Sequence, residues 1–176
     1  MDLFTREIFL DIETLRLSHE VEGGWSNIRQ FGLAVAVTWD KDGAFRNWFE
    51  PDAQNLAAEL ANFTRIITYN GNRFDFEVLR GYVPVDHLLK TSFDVHEALY
   101  KALGHRLRLD QLAQSTLGSA KTGSGIDAVK WWRAGEKQKV VEYCQMDVAL
   151  LRDVVNFARA NGYVIVSGRK VPVSWD

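Results

Sequence analysis

Of its 176 residues this chain spends one on cysteine, two on methionine and three on proline. A lone Cys144 excludes an intrachain disulfide framework and a cysteine-rich zinc site, and the expectation that follows is a reduced, cytoplasmic setting. No apolar run approaches the roughly 20 residues that span a bilayer. The longest aliphatic stretch is Leu33 to Val37, so no membrane partner is expected. Arg6 and Glu7 interrupt the N-terminus and Asp11 follows soon after Ile8 to Leu10, which predicts no signal peptide. Internal repeats, low-complexity tracts and linker-like segments are missing too. Residues 1–176 are therefore expected to form one domain, and at this length about 70% of the unfolded chain's surface can be buried without staples.

An excess of charge of either sign is also lacking, with 23 acidic against 21 basic side chains. The balance hides an asymmetry. Residues 1–100 carry 9 basic and 16 acidic groups (net −7), whereas residues 101–176 carry 12 and 7 (net +5). Solvated helix faces produce such a pattern; so does an acidic site beside a basic approach surface, which suits a metal site acting on a polyanion.

Periodicity predicts strands over 6–13, 28–39 and 44–49, with a turn at Asp42-Gly43, so that the first three strands form an antiparallel meander. Small residues Gly32, Ala34, Ala36 and Thr38 alternate with bulky ones, as in a strand covered on both faces. Asp52 marks a helix start, with Leu56, Leu60 and Phe63 on its apolar side. A fourth strand is expected over 65–69, a helix over 73–80 and a fifth strand over 88–94. Helices over 95–103, 109–117, 126–134 and 137–160 follow, then a hairpin of 163–166 and 171–175 around Ser167-Gly168. The class is α/β.

Chemistry concentrates in three segments. Phe9-Leu10-Asp11-Ile12-Glu13-Thr14 places two carboxylates two apart on a strand, hence on one face, directly after an apolar stretch. A bridging divalent cation relieves the repulsion of such a pair; emergence of the strand into solvent is the plainer account. Thr68 to Asp75 follows the fourth strand and opens a helix, where Asp75 benefits from the macrodipole and Asn70-Gly71 supplies turn chemistry. In the last helix, spacing at about 100° per residue puts Asp147 on the apolar stripe of Val140, Val141, Cys144, Val148, Leu151, Val155 and Ala158, with Tyr143 one turn earlier. A carboxylate on a buried stripe needs a partner.

Taken together, Asp-x-Glu, Asn-x-x-x-Phe-Asp and Tyr-x-x-x-Asp resemble the three motifs of the DEDD family of 3′-to-5′ exonucleases, tyrosine subgroup (DEDDy), across residues 9–147. Position 142 is glutamate, so the histidine subgroup is not matched. Leu109-Asp110-Gln111-Leu112-Ala113-Gln114-Ser115-Thr116-Leu117-Gly118 is similar to a stretch of stand-alone bacterial ribonuclease H-like proteins related to the proofreading domain of family B DNA polymerases. The resemblance implies a ribonuclease H-like mixed five-stranded sheet, antiparallel through strands 1–3 and parallel through 4–5, flanked by helices. It implies that Asp11, Glu13, Asp75 and Asp147 bind two divalent cations, Mg²⁺ or Mn²⁺. Asp11 would bridge them, Glu13 and Asp147 would complete one site, and Asp75 would act on the other through water. Tyr143 would orient the attacking water, a phenol being a poor base but a good hydrogen-bond partner. The implied substrate is the 3′ end of single-stranded nucleic acid, DNA or RNA, released as nucleoside 5′-monophosphates. A non-catalytic nucleic-acid-binding module and an endonuclease on the same fold are the alternatives.

Candidate substrate contacts are Asn70 and Phe74 of the second motif, Trp25 in the loop leaving the first strand, Lys121 in Lys121-Thr122-Gly123-Ser124-Gly125, and Trp132 as a base-stacking surface. The basic run from Lys101 to Lys139 is a candidate backbone-tracking surface. His19, His87, His96 and His105 are read as surface or cap residues, and Cys144 as an inert core residue.

Overall fold

The computed structural model describes residues 5–119 and 123–175. Alternating apolar residues draw out β1 (Glu7–Thr14), β2 (Leu33–Asp40) and β3 (Phe45–Phe49) as an antiparallel meander. Gly43 turns the last corner at φ +111°, a backbone region open to glycine. β4 (Arg65–Thr68) and β5 (Ser92–Asp94) add in parallel on the other side, giving the order β3-β2-β1-β4-β5 with β1 at the centre. This is the mixed sheet expected from the sequence.

Both faces of the sheet are covered. Ile8, Leu10 and Ile12 of β1 join one core with α1 (Ala53–Leu60), α2 (Asp75–Leu79) and α3 (Asp86–Leu89). Phe9 joins Val35, Val37 and Ile67 in a second core on the opposite face. That core is closed by α4 (Val95–Leu103), α5 (Leu109–Leu117), α6 (Gly125–Arg133), the long α7 (Lys137–Asn161) and the hairpin β6 (Tyr163–Val166)–β7 (Arg169–Pro172). A one-residue slip of β1 would drive Asp11 and Glu13 into the α1–α3 core, at several kcal/mol for each buried charge, so the register is firmly specified. Among the described residues no helix is long and apolar enough to cross a membrane.

Three expected boundaries are corrected. Residues 28–32 are not strand: Ile28–Gln30 form a 3-10 turn, and Gly32 sits at φ +74° before β2 begins. Ile28 and Phe31 are three apart, the repeat of a 3-10 turn rather than of a strand, and both are buried. The fifth strand shrinks to Ser92–Asp94 because Leu88 and Leu89 donate their N–H groups to Val85 O, closing the helical turn of α3. The final strand starts at Arg169 instead of Val171, since Ser167 and Gly168 both adopt positive φ (49° and 75°) and form a two-residue hairpin turn.

Candidate active site

The site lies where β1 outruns its parallel neighbour. β4 pairs with β1 over Glu7, Ile8 and Phe9 and ends at Thr68, so Asp11 and Glu13 project beyond it on the α7 face of the sheet. Chain leaving the carboxyl ends of parallel strands builds ligand clefts in α/β folds for this reason. α7 crosses that face and brings Asp147 to the pair: carboxylate oxygens of Asp11, Glu13 and Asp147 all lie within 4.8 Å of one another. Asp147 is only 5% exposed, as its place on the apolar stripe demands. Cys144, one turn before Val148 on the same stripe, sets its Sγ 3.2 Å from Asp11 Oδ2 and 3.4 Å from Asp11 O. Burial pushes this thiol well above its ordinary pKa and the Asp11, Glu13 and Asp147 charges push it further, so it meets Asp11 as a donor rather than as a thiolate.

Asp75, the first residue of α2, closes the site from the β4 side and is 3% exposed. Its Oδ1 is buried with no hydrogen-bond partner. Burial chiefly, then the Asp11 charge and that of Asp94, hold its pKa well above the carboxylate range, against the pull of backbone N–H donors at Asp75 and Ile12. An orphaned carboxylate oxygen beside three clustered acids is the signature of a place for a cation. The donors are all oxygen, which suits a hard divalent ion rather than zinc.

The loop presenting Asp75 is built from Asn70-Gly71-Asn72. Asn70 sits at φ +67°, which asparagine tolerates better than most residues. A methyl on Gly71 would come within 2.4 Å of Thr68 Cβ, so glycine is required by close approach. Asp94 holds this loop: its Oδ1 accepts from Asn70 N at 2.8 Å and its Oδ2 from Asn72 N at 3.0 Å. The same Oδ1 caps α4 through His96 N and Glu97 N. Sequence reading passed over Asp94; the available signal was an aspartate directly before an apolar helical run.

Asp11, Glu13, Asp75, Tyr143 and Asp147 line one cleft of about 470 Å³, together with Trp25 and Phe74. Trp25 is 63% exposed and packs edge-on against Phe31 at 5.5 Å and tilted against Phe74 at 6.1 Å, an aromatic rim next to the carboxylates. Asn70 lines an adjoining hollow that also touches Asp11 and Asp147. Trp132 is not brought in: it lies 6.3 Å from Phe49 and under Lys137 Nζ, away from the cleft. Its neighbour Trp131 stands 5.7 Å from Tyr143 instead, because consecutive helical residues diverge by about 100° and only one can face α7. Lys121 lies outside the described residues. The loop after β1 is pinned. Arg133 of α6 donates to both Glu20 carboxylate oxygens, at 2.7 and 2.6 Å, and to Leu15 O at 3.2 Å. Arg133 is the main reason the exposed Glu20 carboxyl is lowered to about 2.

Sheet order, helix placement and an acidic cluster at the end of the central strand define an α/β protein of ribonuclease H-like class with a site able to hold a divalent metal. The family model of the RNase_H superfamily (RNase_H_2) matches residues 8–160, and the chain belongs to that superfamily. No sequence match is found among curated proteins. Among solved structures the chain is similar to the family B DNA polymerase from the hyperthermophilic archaeon Pyrobaculum calidifontis (TM-score 0.66, 14% identity), covering 89% of this chain and 24% of that one. It is also similar to Trypanosoma brucei RNase D (TM-score 0.63, 15% identity), with 97% and 61% covered. The chain thus spans about a quarter of the polymerase and about three-fifths of RNase D.

Proposed function

We propose that this protein is a metal-dependent 3′-to-5′ exonuclease of the tyrosine-containing DEDD type, releasing nucleoside 5′-monophosphates from single-stranded DNA or RNA. The observation that carries the reading is the convergence of Asp11, Glu13 and Asp147 within 4.8 Å, with Asp75 and Tyr143 on the wall of the same cleft. Asp11, Glu13, Asp75 and Asp147 would hold two divalent cations, Mg²⁺ or Mn²⁺, which when bound would supply hydroxide at neutral pH and stabilise the leaving oxygen. Trp25 and Phe74 offer faces for the terminal base, and the segment Arg16 to His19, pinned at Leu15 and Glu20 on either side, lines the cleft together with Ser124 to Ile126. That wall supports a chain end rather than mid-strand as the entering group. Tyr143 aligns the attacking water by hydrogen bonding and leaves the proton to be taken elsewhere, its phenol being too weak a base at neutral pH.

The test uses labelled DNA and RNA oligomers of matched sequence with Mg²⁺ or Mn²⁺. A bulky block on the 3′ hydroxyl should stop shortening, whereas a 5′ block should not. Cleavage of a closed single-stranded circle would replace this reading with an endonuclease, and binding without any cleavage would leave a binding module. Tyr143→Phe is expected to lower kcat about 10- to 1000-fold, the range for a lost catalytic hydrogen bond, with the metal concentration for half-activity nearly unchanged. Wild-type turnover in this variant at saturating substrate would make the tyrosine structural only.

A further inference from the structure

A trough leads from the carboxylates past the Asn70 loop to the surface of α4. Three adjoining hollows of about 360, 370 and 440 Å³ share Asn70 and Arg106. The first opens on Asp11 and Asp147, the second reaches Trp25 and Phe74, and the third ends at Tyr100 and Lys101. Beyond Asp11, Asp147, Trp25 and Phe74, the stretch bearing Arg73, Arg106, Tyr100 and Lys101 takes no part in the chemistry proposed above.

Apart from Arg108, which lines the first hollow but is paired, the cations along it differ from those of the basic run elsewhere. Arg108 is paired with Asp110, Lys130 with Asp127, Arg133 with Glu20 and Lys139 with Glu136. Lys137 lies over the Trp132 ring. Arg73, Lys101 and Arg106 are exposed, and among the described residues their charged heads make no hydrogen bond or ion pair. Glu97, an acid on the same rim, is occupied by Asn72 Nδ2 at 3.0 Å. Three unneutralised cations on one side of an acidic site repel each other and gain from a ligand with regularly spaced negative charges. A polynucleotide backbone is such a ligand, and the counterions it releases supply much of the binding free energy.

The aromatic groups favour a single strand. Tyr100 is 49% exposed at the far end of the trough. Tyr69 is held rigid by donating to Leu107 O at 2.7 Å and packs edge-on against His96 at 5.5 Å, forming the floor between. An exposed ring beside a cationic groove is the arrangement on which unpaired bases stack, whatever their sequence.

We propose that this trough is the track for the strand upstream of the scissile bond: successive phosphates lie against Arg106 and Arg73, the next is met by Lys101, and one base stacks on Tyr100. The inference rests on the exonuclease reading of the cleft and gives that site a preference for strands several nucleotides long over dinucleotides.

The experiment compares wild type with Arg73→Gln/Arg106→Gln and Tyr100→Ala, using a labelled single-stranded 12-mer. It reads steady-state KM and kcat with Mn²⁺, and binding by anisotropy in chelator at several salt concentrations. The double variant should raise KM for the 12-mer by about 10-fold or more, with kcat held, and should flatten the slope of log affinity against log salt by about 1.4, at about 0.7 per phosphate contact for single strands. Tyr100→Ala should weaken binding roughly 5- to 100-fold with the slope unchanged. All three side chains are exposed, so melting temperatures should match wild type. Lys41→Gln, a loss of charge on the distant β2–β3 turn, should change nothing.

Unchanged KM and slope in the double variant overturn the track, as does an equal effect from Lys41→Gln. A duplex of the same length that binds as tightly, and loses as much in the variants, overturns the single-strand assignment. If wild type binds the 12-mer through these residues yet cuts nothing with either metal, the exonuclease reading falls and the track stands.

Discussion

Asp11→Asn and Asp147→Asn are each expected to lower turnover by roughly 10⁴-fold or more, the scale on which losing one member of a catalytic unit acts. The replacement keeps shape and one oxygen, so packing against Cys144 and the apolar stripe of α7 is retained. What it removes is the charge that draws a cation to a cluster spanning 4.8 Å, and it turns one ligand oxygen into an amide nitrogen that repels the ion. Excess chelator should abolish wild-type activity to the same extent. Turnover within ten-fold of wild type in either variant, or full activity in chelator, would show that these carboxylates do not carry the chemistry. Melting temperatures in chelator that stay at or above the wild-type value would show that the loss is not one of folding.

Asp75→Asn is expected to raise the melting temperature of the metal-free protein at pH 8 by at least about 3 °C, which is what roughly 1 kcal/mol is worth in a domain of this size. Burial, Asp11 and Asp94 all disfavour the ionised form of Asp75, and its Oδ1 has no hydrogen bond to offset that cost. Asparagine carries no charge and can aim its Nδ2 at Asp11. The pH dependence has a defined sign. The folded-state pKa is raised above the unfolded value of about 3.9, so between the two the folded protein binds the more protons. Its stability therefore falls as pH rises from about 4 through the folded pKa and then levels off. The variant should lose that slope. Metal stabilises the folded state with the logarithm of its concentration above Kd, and the Mn²⁺-induced rise should be smaller in the variant, which supplies one charge fewer. Thermal melts across pH 5–9 in chelator and in Mn²⁺ check both parts. A variant that melts below wild type in chelator at pH 8 would mean that protein donors hold Asp75 ionised and that it does not await a cation.

The sheet was legible because its strands alternate bulky and small residues between two cores, and the site's acids were legible because each sits at a fixed phase of its element. Asp11 and Glu13 are two apart on β1, and Asp147 falls on the buried arc of α7. Those periodicities follow from backbone geometry alone; they put Asp11 and Glu13 on one face and Asp147 on a buried arc before any contact was known, whereas Asp75 was read only as a first-turn residue of its helix. The same reasoning failed at residues 28–32, where Phe31 continues the alternation of Leu33, Val35 and Val37 but Gly32 turns the chain. It offered Trp132 as a base-stacking surface and its neighbour as core; Trp131 does turn inward to Tyr143, but Trp132 lies against Phe49, away from the cleft, a matter of how α6 is rotated against α7.

The sequence by itself determined the class of fold, the order of the acidic motifs, the shared face of Asp11 and Glu13 and the buried arc that carries Asp147, because these depend on spacing along one element and on which residues cannot be left in water. It read residues 28–39 as a central strand, whereas β1 takes the middle of the sheet. Tertiary structure alone decided that β1 outruns β4 and so opens a cleft, that Cys144 touches Asp11, that Asp94 fastens the Asn70 loop, and that Arg133 pins the loop bearing Trp25. These are relations between residues 22 to 133 positions apart. No local preference encodes such distances, which arise only when two cores pack against one twisted sheet.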